Sequence, residues 1–231
     1  AALALTANRD LLGKRVLITA GGTLEPIDPV RFIGNRSSGK QGVALAMQAK
    51  RRGAYVTLIG ANISQPDQGV DEFISVATAS ELEGALMERL QTQDALIMAA
   101  AVSDYRVATE STTKLKKIDL GHSLKLELVA NPDILASATQ SITDLGLKTV
   151  VVGFAAETVE KQADLIELAL KKIKAKGCDL LVANNVTGGA VFGAEKNTVV
   201  IVDQAGQIGE STGSKTTVAN AILDELAIRL E

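Results

Sequence analysis

The sequence predicts an α/β fold, a doubly wound, mostly parallel Rossmann-like sheet with a β-hairpin extension and a mobile flap. Two observations lead to this prediction. Short apolar runs, typical of buried parallel strands, alternate with longer segments in which apolar residues recur at helical spacing. The 231 residues, 46% hydrophobic and 22% charged, are also sufficient for one large core. We therefore expect helices on both faces of a single sheet.

The predicted strands and helices alternate along the whole chain. The strands are Arg15–Thr19, Tyr55–Ile59, Ala95–Ala99, Thr149–Val152 and Asp179–Val182. The helices are Gly39–Arg52, Ser80–Leu90, Pro132–Gln140, Val159–Lys176 and Lys215–Leu230. The first helix shows typical stop signals, because basic residues and then Gly53 close it.

Three further segments interrupt this alternation. Residues Leu124–Val129 alternate as a half-buried strand, and Thr198–Val202 with Gln207–Ile208 has the pattern of a hairpin. These segments are expected to extend the sheet or to form a dimer contact. The segment Val107–His122 is rich in Thr, Ser and Lys and has no apolar periodicity, so we predict a mobile flap there.

Composition restricts the class of protein. There are 24 basic and 27 acidic residues, for a net charge of −3, so neither nucleic acid nor a membrane is expected as a partner. A single cysteine, Cys178, excludes an internal disulfide, and a single histidine, His122, excludes a Cys/His zinc site. A cytoplasmic location is expected. The missing initiator methionine suggests a fragment, with residues 1–13 as linker and residues 14–231 as the domain.

The stretch Thr19–Gly42 lies between the first strand and the first helix and is suited to an anion. Bare backbone N–H groups, small hydroxyls and cations at a helix N-terminus bind phosphate well. The residues that offer these groups are Gly21, Gly22, Asn35, Arg36, Ser37, Ser38, Gly39, Lys40 and Gly42.

Three alternatives for this stretch compete with a dedicated phosphate site. Gly34–Lys40 matches the start of a P-loop, but Gln41 stands where a magnesium-binding Ser or Thr is required, and the match lies far from the first strand. The glycines alternatively serve only as caps and turns. A dinucleotide site needs an acid after the second strand, where this chain has Gly60-Ala61-Asn62.

Other candidate residues follow later strands. Small residues and then Asp104 follow Met98, and Asp104 is a candidate for a ribose hydroxyl, a metal or a simple cap. Lys114–Lys117 is a cationic cluster that either closes over polyphosphate or is solvated. Lys172 and Lys176 share one helix face and either bind a ligand or face solvent. Cys178 and His122 have no evident partner and are taken as non-catalytic.

Six blocks follow one another along the chain: VLITAGGTLEPIDPVRFIGNRSSGKQG, MAAAVSDY, KLKK, NPDIL, VVGFAAET and AKGCDLLVANN. In this order, from about Lys14 to the C-terminus, they resemble the blocks of bacterial phosphopantothenoylcysteine synthetase, the ligase of coenzyme A biosynthesis. The resemblance implies that CTP activates 4′-phosphopantothenate as an acyl cytidylate with release of pyrophosphate, and that L-cysteine then displaces CMP. It also implies Mg²⁺ with the CTP, a homodimer or higher oligomer, and fusion to an N-terminal flavin decarboxylase domain, with no flavin in this domain.

The same resemblance implies roles for individual residues. Asn35 would contact the activated acyl group, Lys114 would neutralise charge on the triphosphate, and Arg31 would reach the pantothenate phosphate of the neighbouring subunit. Ala100 and Ala101 would line the substrate cleft. The implied nucleotide-binding set is Gly21, Gly22, Ser37, Ser38, Gly39, Lys40, Met98, Ala99, Ala100, Asp104, Lys114, Pro132, Asp133, Ile134, Leu135, Phe154, Lys172 and Lys176. The protein ligands of the metal are unknown. The alternative function is a non-catalytic nucleotide-binding domain.

Overall fold

A computed structural model describes residues 9–64, 69–187 and 196–231. Its strands are β1 Arg15–Gly21, β2 Leu24–Pro26, β3 Phe32–Gly34, β4 Tyr55–Ala61, β5 Glu72–Val76, β6 Ala95–Met98, β7 Tyr105–Val107, β8 Leu128–Ala130, β9 Val150–Glu157, β10 Leu180–Asn185, β11 Lys196–Val202 and β12 Gln207–Ser214. Its α-helices are α1 Lys40–Arg51, α2 Ala79–Met87, α3 Lys117–Leu120, α4 Ile134–Asp144, α5 Gln162–Lys176 and α6 Lys215–Leu230.

Eight strands form the central sheet in the order β12-β11-β10-β9-β6-β1-β4-β5. The strands from β10 to β5 pair in parallel, and β11 joins β10 and β12 by antiparallel pairing. This confirms the predicted doubly wound sheet and its hairpin extension. The strand order reverses between β1 and β6, and ligands of open α/β sheets bind at the carboxyl edge next to such a reversal.

Helices cover both faces of the sheet because buried strands alternate their side chains between two cores. On β1, Val16 and Ile18 join one cluster with residues of α1 and α6, whereas Leu17 joins the other with residues of α2, α4 and α5. The strands of such a sheet are apolar on both sides, which explains the continuous apolar runs in the sequence. Helix α1 approaches β1 most closely at Gly42, where a Cβ atom would lie 2.5 Å from Ala20 Cβ.

Two small antiparallel sheets lie outside the central one. Strand β2 pairs with β3, and β7 pairs with β8. The expected strand Leu124–Val129 was therefore placed wrongly, because only Leu128–Ala130 is regular and it pairs with Tyr105–Val107, not with the central sheet. Leu124 and Leu126 are exposed. The edge strand β5 was not predicted.

The structure describes only the second part of the predicted linker, residues 1–13. Residues 1–8 of the predicted linker lie outside the described residues. Residues 9–13 pack against the domain, because Leu11 is fully buried and Asp10 forms an ion pair with Arg52. Within the described ranges, every helix is too short or too polar to span a lipid bilayer.

Candidate functional site

A cavity of about 550 Å³ opens at the carboxyl edge of the sheet, beside the reversal of strand order. Segments from eight parts of the chain form its wall. The predicted site residues that line it are Asn35, Ser37, Ser38, Gly39, Lys40, Met98, Ala99, Ala100, Ala101, Asp104, Pro132, Asp133, Ile134, Leu135, Phe154, Lys172 and Lys176. The structure thus brings most of the predicted residues together around one volume of a size suited to a small-molecule ligand.

The loop after β6 forms one wall of the cavity, and its amides donate hydrogen bonds to the end of β1 and to Thr23 just after it. The Ala100 amide donates to Thr19 Oγ1 at 3.1 Å, and the Ser103 amide donates to Thr23 Oγ1 at 2.9 Å. The Ala101 amide donates to the Gly21 carbonyl at 2.8 Å. Because the side chains of this loop are small, a ligand can approach its backbone closely.

Asn35 lies next to this loop, immediately after β3. Its Nδ2 donates to the Val102 carbonyl at 2.8 Å. This bond fixes the carboxamide against the segment that contains Ala100 and Ala101. The predicted acyl-binding residue and the predicted substrate cleft are therefore adjacent.

Three helices begin at the cavity and direct their positive ends towards it. Lys40 is the first residue of α1 and follows Gly39, whose φ of 70° is left-handed. Helix α4 begins after Asp133, whose side chain accepts from the Ala136 amide at 3.1 Å. Helix α6 begins with Lys215. A helix N-terminus attracts anions, and Lys40 and Lys215 add positive charge at two of the three termini, so the electrostatic potential in this part of the cavity favours an anion.

Two lysines of α5 line the opposite side and are paired with carboxylates. Lys172 Nζ lies 2.5 Å from Glu157 Oε1, at the end of β9. Lys176 Nζ forms an ion pair with Asp133. Both lysines share one helix face, as their spacing predicted, and both line the cavity. A polyphosphate would compete with the two carboxylates for these ammonium groups.

Gly21 and Gly22, which were predicted to contact the nucleotide, lie behind the cavity wall. The Gly22 amide donates to the Ala61 carbonyl at 3.1 Å, so its N–H is not directed at a ligand. Ile63 closes this side: a Cβ atom at Gly21 or Gly39 would lie 3.0 Å or 2.7 Å from Ile63 Cγ2. The space that a dinucleotide would enter beside these glycines is therefore filled by protein.

Arg31 and Lys114 also lie outside the residues that line the cavity. Arg31 Nη2 is 2.6 Å from Asp28 Oδ2 and also donates to the Leu115 carbonyl. Lys114 is exposed on the segment between β7 and α3. Either side chain could reach a bound ligand only if its own segment moved towards the cavity, or if the ligand lay in the cavity of a second chain.

Several lining residues were missed by the sequence analysis, namely Asn131, Asn184, Asn197 and Lys215. Asn131 Nδ2 donates to the Ser103 carbonyl at 2.8 Å and connects two walls. A lysine at the first position of the predicted helix Lys215–Leu230 was the available signal for Lys215. The three asparagines carry no local sequence signal that separates them from caps.

Cys178 is fully buried and lies outside the lining residues. Burial raises the pKa of its thiol to about 11. A thiol in this state is a poor nucleophile at neutral pH.

The acidic residues near the cavity suit a metal ion that is held mainly by a bound phosphate compound and only partly by the protein. Asp104 and Asp133 line the wall, and among the described residues no group of three or more His, Cys, Asp and Glu side chains is placed to bind a metal. Mg²⁺ bound to a triphosphate typically takes only one or two protein carboxylates. The donor set therefore fits a metal–triphosphate complex better than a resident metal.

Comparisons with known proteins identify the family to which the chain is similar. Residues 11–229 match the model of the DNA/pantothenate metabolism flavoprotein C-terminal domain. The coenzyme A biosynthesis bifunctional protein CoaBC of Mycobacterium tuberculosis is 44% identical over 221 residues, 94% of this chain and 53% of that protein. The chain thus spans about half the length of the curated relatives it matches.

Two solved structures extend the comparison. The C-terminal domain of coenzyme A biosynthesis bifunctional protein CoaBC is 32% identical, has a TM-score of 0.74 and matches over 96% of this chain and 98% of its own. A Cab2 mutant in complex with phosphopantothenate-cysteine is 18% identical, with a TM-score of 0.71 over 96% of this chain and 87% of its own. The second structure supports the fold alone.

Proposed function

The chain belongs to the DNA/pantothenate metabolism flavoprotein C-terminal domain family, and from this membership we propose that it ligates 4′-phosphopantothenate to L-cysteine with CTP. The observation that carries the proposal is the cavity at the strand-order reversal, where three helix N-termini and four lysines surround small, backbone-exposing residues. Such a site binds a polyphosphate and a second substrate side by side.

The proposed reaction has two steps. In the first, a carboxylate oxygen of phosphopantothenate attacks the α-phosphorus of CTP, and the bond to the leaving pyrophosphate breaks. In the second, the amine of cysteine attacks the acyl carbon of the resulting cytidylate, loses a proton, and CMP leaves with the electron pair of the acyl–oxygen bond. Neither step requires a protein nucleophile, so catalysis depends on positioning and charge.

The residues of the cavity divide between these steps. Asn35 is held against the loop of Ala100 and Ala101 by its bond to Val102, which supports its proposed role in polarising the acyl oxygen. Lys114 would approach the triphosphate from the flap. The nucleotide itself would lie along the predicted set that lines the cavity, with Lys172 and Lys176 exchanging their carboxylate partners for phosphate oxygens.

Mg²⁺ is proposed to enter as a complex with CTP. Its phosphate-bound form would neutralise triphosphate charge, and Asp104 or Asp133 offers a carboxylate at the wall. We assign no flavin site to this chain.

A dimer is proposed as the working form. The two small sheets contact each other through β2 and β7 and carry exposed apolar side chains: Val30, Phe32, Tyr105 and Leu128. Grouped exposed apolar residues of this size are typical of protein interfaces. Association there would also bring a second chain close to Arg31, as its proposed role requires.

Pyrophosphate release tests the function. The chain is incubated with CTP, Mg²⁺ and 4′-phosphopantothenate, with and without L-cysteine, and pyrophosphate, CMP and phosphopantothenoylcysteine are measured by mass spectrometry. We expect pyrophosphate only when phosphopantothenate is present, and CMP with the ligated product only when cysteine is added. CTP binding without pyrophosphate release would favour the alternative, a non-catalytic nucleotide-binding domain.

A further inference from the structure

The turn between β2 and β3 contains a fully buried carboxylate. The side chain of Asp28 has no exposed surface. Its Oδ1 accepts from the amides of Val30 at 2.8 Å and Arg31 at 2.9 Å. Its Oδ2 accepts from Arg31 Nε at 3.0 Å and from the Leu115 amide at 3.1 Å. A residue that only shaped the turn would need the bonds from the Val30 and Arg31 amides and not the bond from the Leu115 amide.

The bond to Leu115 joins the turn to the flap, residues 107–122. Both backbone groups of Leu115 are held, because its amide donates to Asp28 and its carbonyl accepts from the Arg31 guanidinium. A second bond runs from the Ser111 amide to the Ile27 carbonyl at 3.0 Å. The residue that follows Lys114 is therefore attached to the turn at both of its polar backbone atoms.

The protonation state of Asp28 fits this role. Burial alone would raise the pKa of its carboxyl, but hydrogen bonds from Val30, Leu115 and Arg31 outweigh burial and hold the pKa well below its usual range. At neutral pH both oxygens are thus acceptors. An asparagine at this position would replace one of the two accepting oxygens by an NH₂ group, which would face N–H donors and could not accept from them.

The same turn is connected to the acyl end of the cavity. Strand β2 pairs with β3 in the register Leu24 with Gly34 and Pro26 with Phe32. Asn35 directly follows Gly34 and is fixed to the β6 loop through Val102. The turn that holds the flap and the residue that faces the acyl group are therefore parts of one hairpin.

We infer that Asp28 is a positioning residue, which anchors the flap at the Leu115 amide and thereby limits the positions from which the exposed Lys114 side chain can approach Asn35 and the cavity. The inference rests on the proposed function for the role of Lys114, and on the contacts above for the attachment itself. Asp28 touches no reacting atom. It holds both the flap and Arg31, and because Arg31 is proposed to act in binding phosphopantothenate, the effect through Lys114 is the one on kcat at saturating phosphopantothenate.

Amide hydrogen exchange tests the attachment without reference to activity. In the wild-type chain the Leu115 amide should exchange about 10-fold or more slowly than the Lys116 amide, and Asp28→Asn should remove this protection. Asp71→Asn is the matched control: Asp71 also accepts a backbone amide, from Val56 at 2.8 Å, and pairs with Lys50, but it lies by the far strand β5. It should leave Leu115 unchanged. Equal exchange of Leu115 and Lys116 in the wild type would overturn the inference even if Asp28→Asn did not fold.

A double-mutant cycle tests the action through Lys114. At saturating phosphopantothenate, Asp28→Asn should lower kcat for pyrophosphate release by about 10-fold in the wild-type background, but by less than about 2-fold in Lys114→Gln. Equal losses in both backgrounds would show a general structural effect and refute the positioning role. Absence of pyrophosphate release in the wild type would refute the proposed function instead, and the exchange result would still decide the attachment.

Discussion

Gly42→Ala tests whether close packing of α1 on β1 places the helix N-terminus at the cavity. The added Cβ would lie 2.5 Å from Ala20 Cβ and 2.9 Å from both Ala20 Cα and the Thr19 carbonyl oxygen. Strand β1 cannot retreat, because it pairs with β4 on one side and β6 on the other. Helix α1 must therefore withdraw by about 1 Å to restore ordinary contact.

The size of the effect follows from this geometry. Overpacking of this kind costs about 1–3 kcal/mol, and for a chain of this length each kcal/mol lowers Tm by roughly 2–4 °C. Withdrawal also carries Gly39 and Lys40 away from the ligand, so KM for CTP should rise about 10-fold. Thermal unfolding by circular dichroism and steady-state pyrophosphate release measure the two effects.

Gly84→Ala is the matched control for this substitution. Gly84 also lies within a helix, α2, and a Cβ there would meet nothing within 4 Å. Alanine is favoured over glycine in a helix by up to about 1 kcal/mol, so Tm should rise slightly and KM should not change. If Gly42→Ala also melted at or above the wild-type temperature, the close packing of α1 on β1 would be refuted.

The remaining predictions concern single side chains. Lys114→Gln should slow nucleotidyl transfer by about 100-fold with unchanged thermal unfolding, since it removes a charge on an exposed segment; an unchanged rate in quenched-flow assays would exclude the role. Arg31→Ala should raise KM for phosphopantothenate more than KM for CTP, and mixing Arg31→Ala with Lys114→Gln chains should restore activity if the site spans a dimer. Asn35→Asp should accumulate acyl cytidylate, detected by mass spectrometry after quenching, because it replaces a donor by a negative charge; full turnover would contradict this. Because burial raises the pKa of Cys178 to about 11, about one thiol in a thousand is ionised at pH 8, so native protein should resist iodoacetamide and unfolded protein should not.

The central sheet was predictable because its signals are local. Each buried parallel strand is a short apolar run and each helix has its own periodicity, so sequence order gives the alternation directly. The cavity followed from the same property, since the loops after β1, β6 and β9 must meet at one edge of a parallel sheet. Three-residue strands such as β2 and β7 have too few residues for any period to show, which is why both small sheets were missed.

The site was less predictable where contacts join distant parts of the chain. Gln41 donates through Nε2 to the Lys215 carbonyl at 3.2 Å across 174 residues, so α6 contributes to a wall whose other parts lie far earlier. The Gly21-Gly22 pair has the composition of a phosphate loop, but Ile63 from the end of β4 fills the space beside it. Composition shows that a loop can approach a ligand, and only the packing shows which side of the loop remains open.

The distribution of charge around the cavity explains how the unliganded fold tolerates the cations of the proposed polyphosphate site. Four lysines and three helix N-termini converge there, and like charges at such distances would destabilise the fold. Glu157 and Asp133 neutralise Lys172 and Lys176, and Asp133 also caps α4. These carboxylates lower the cost of assembling the site before the ligand arrives. In the proposed function a triphosphate would have to displace them, so they would also weaken the binding of ligands that carry too little charge to compete.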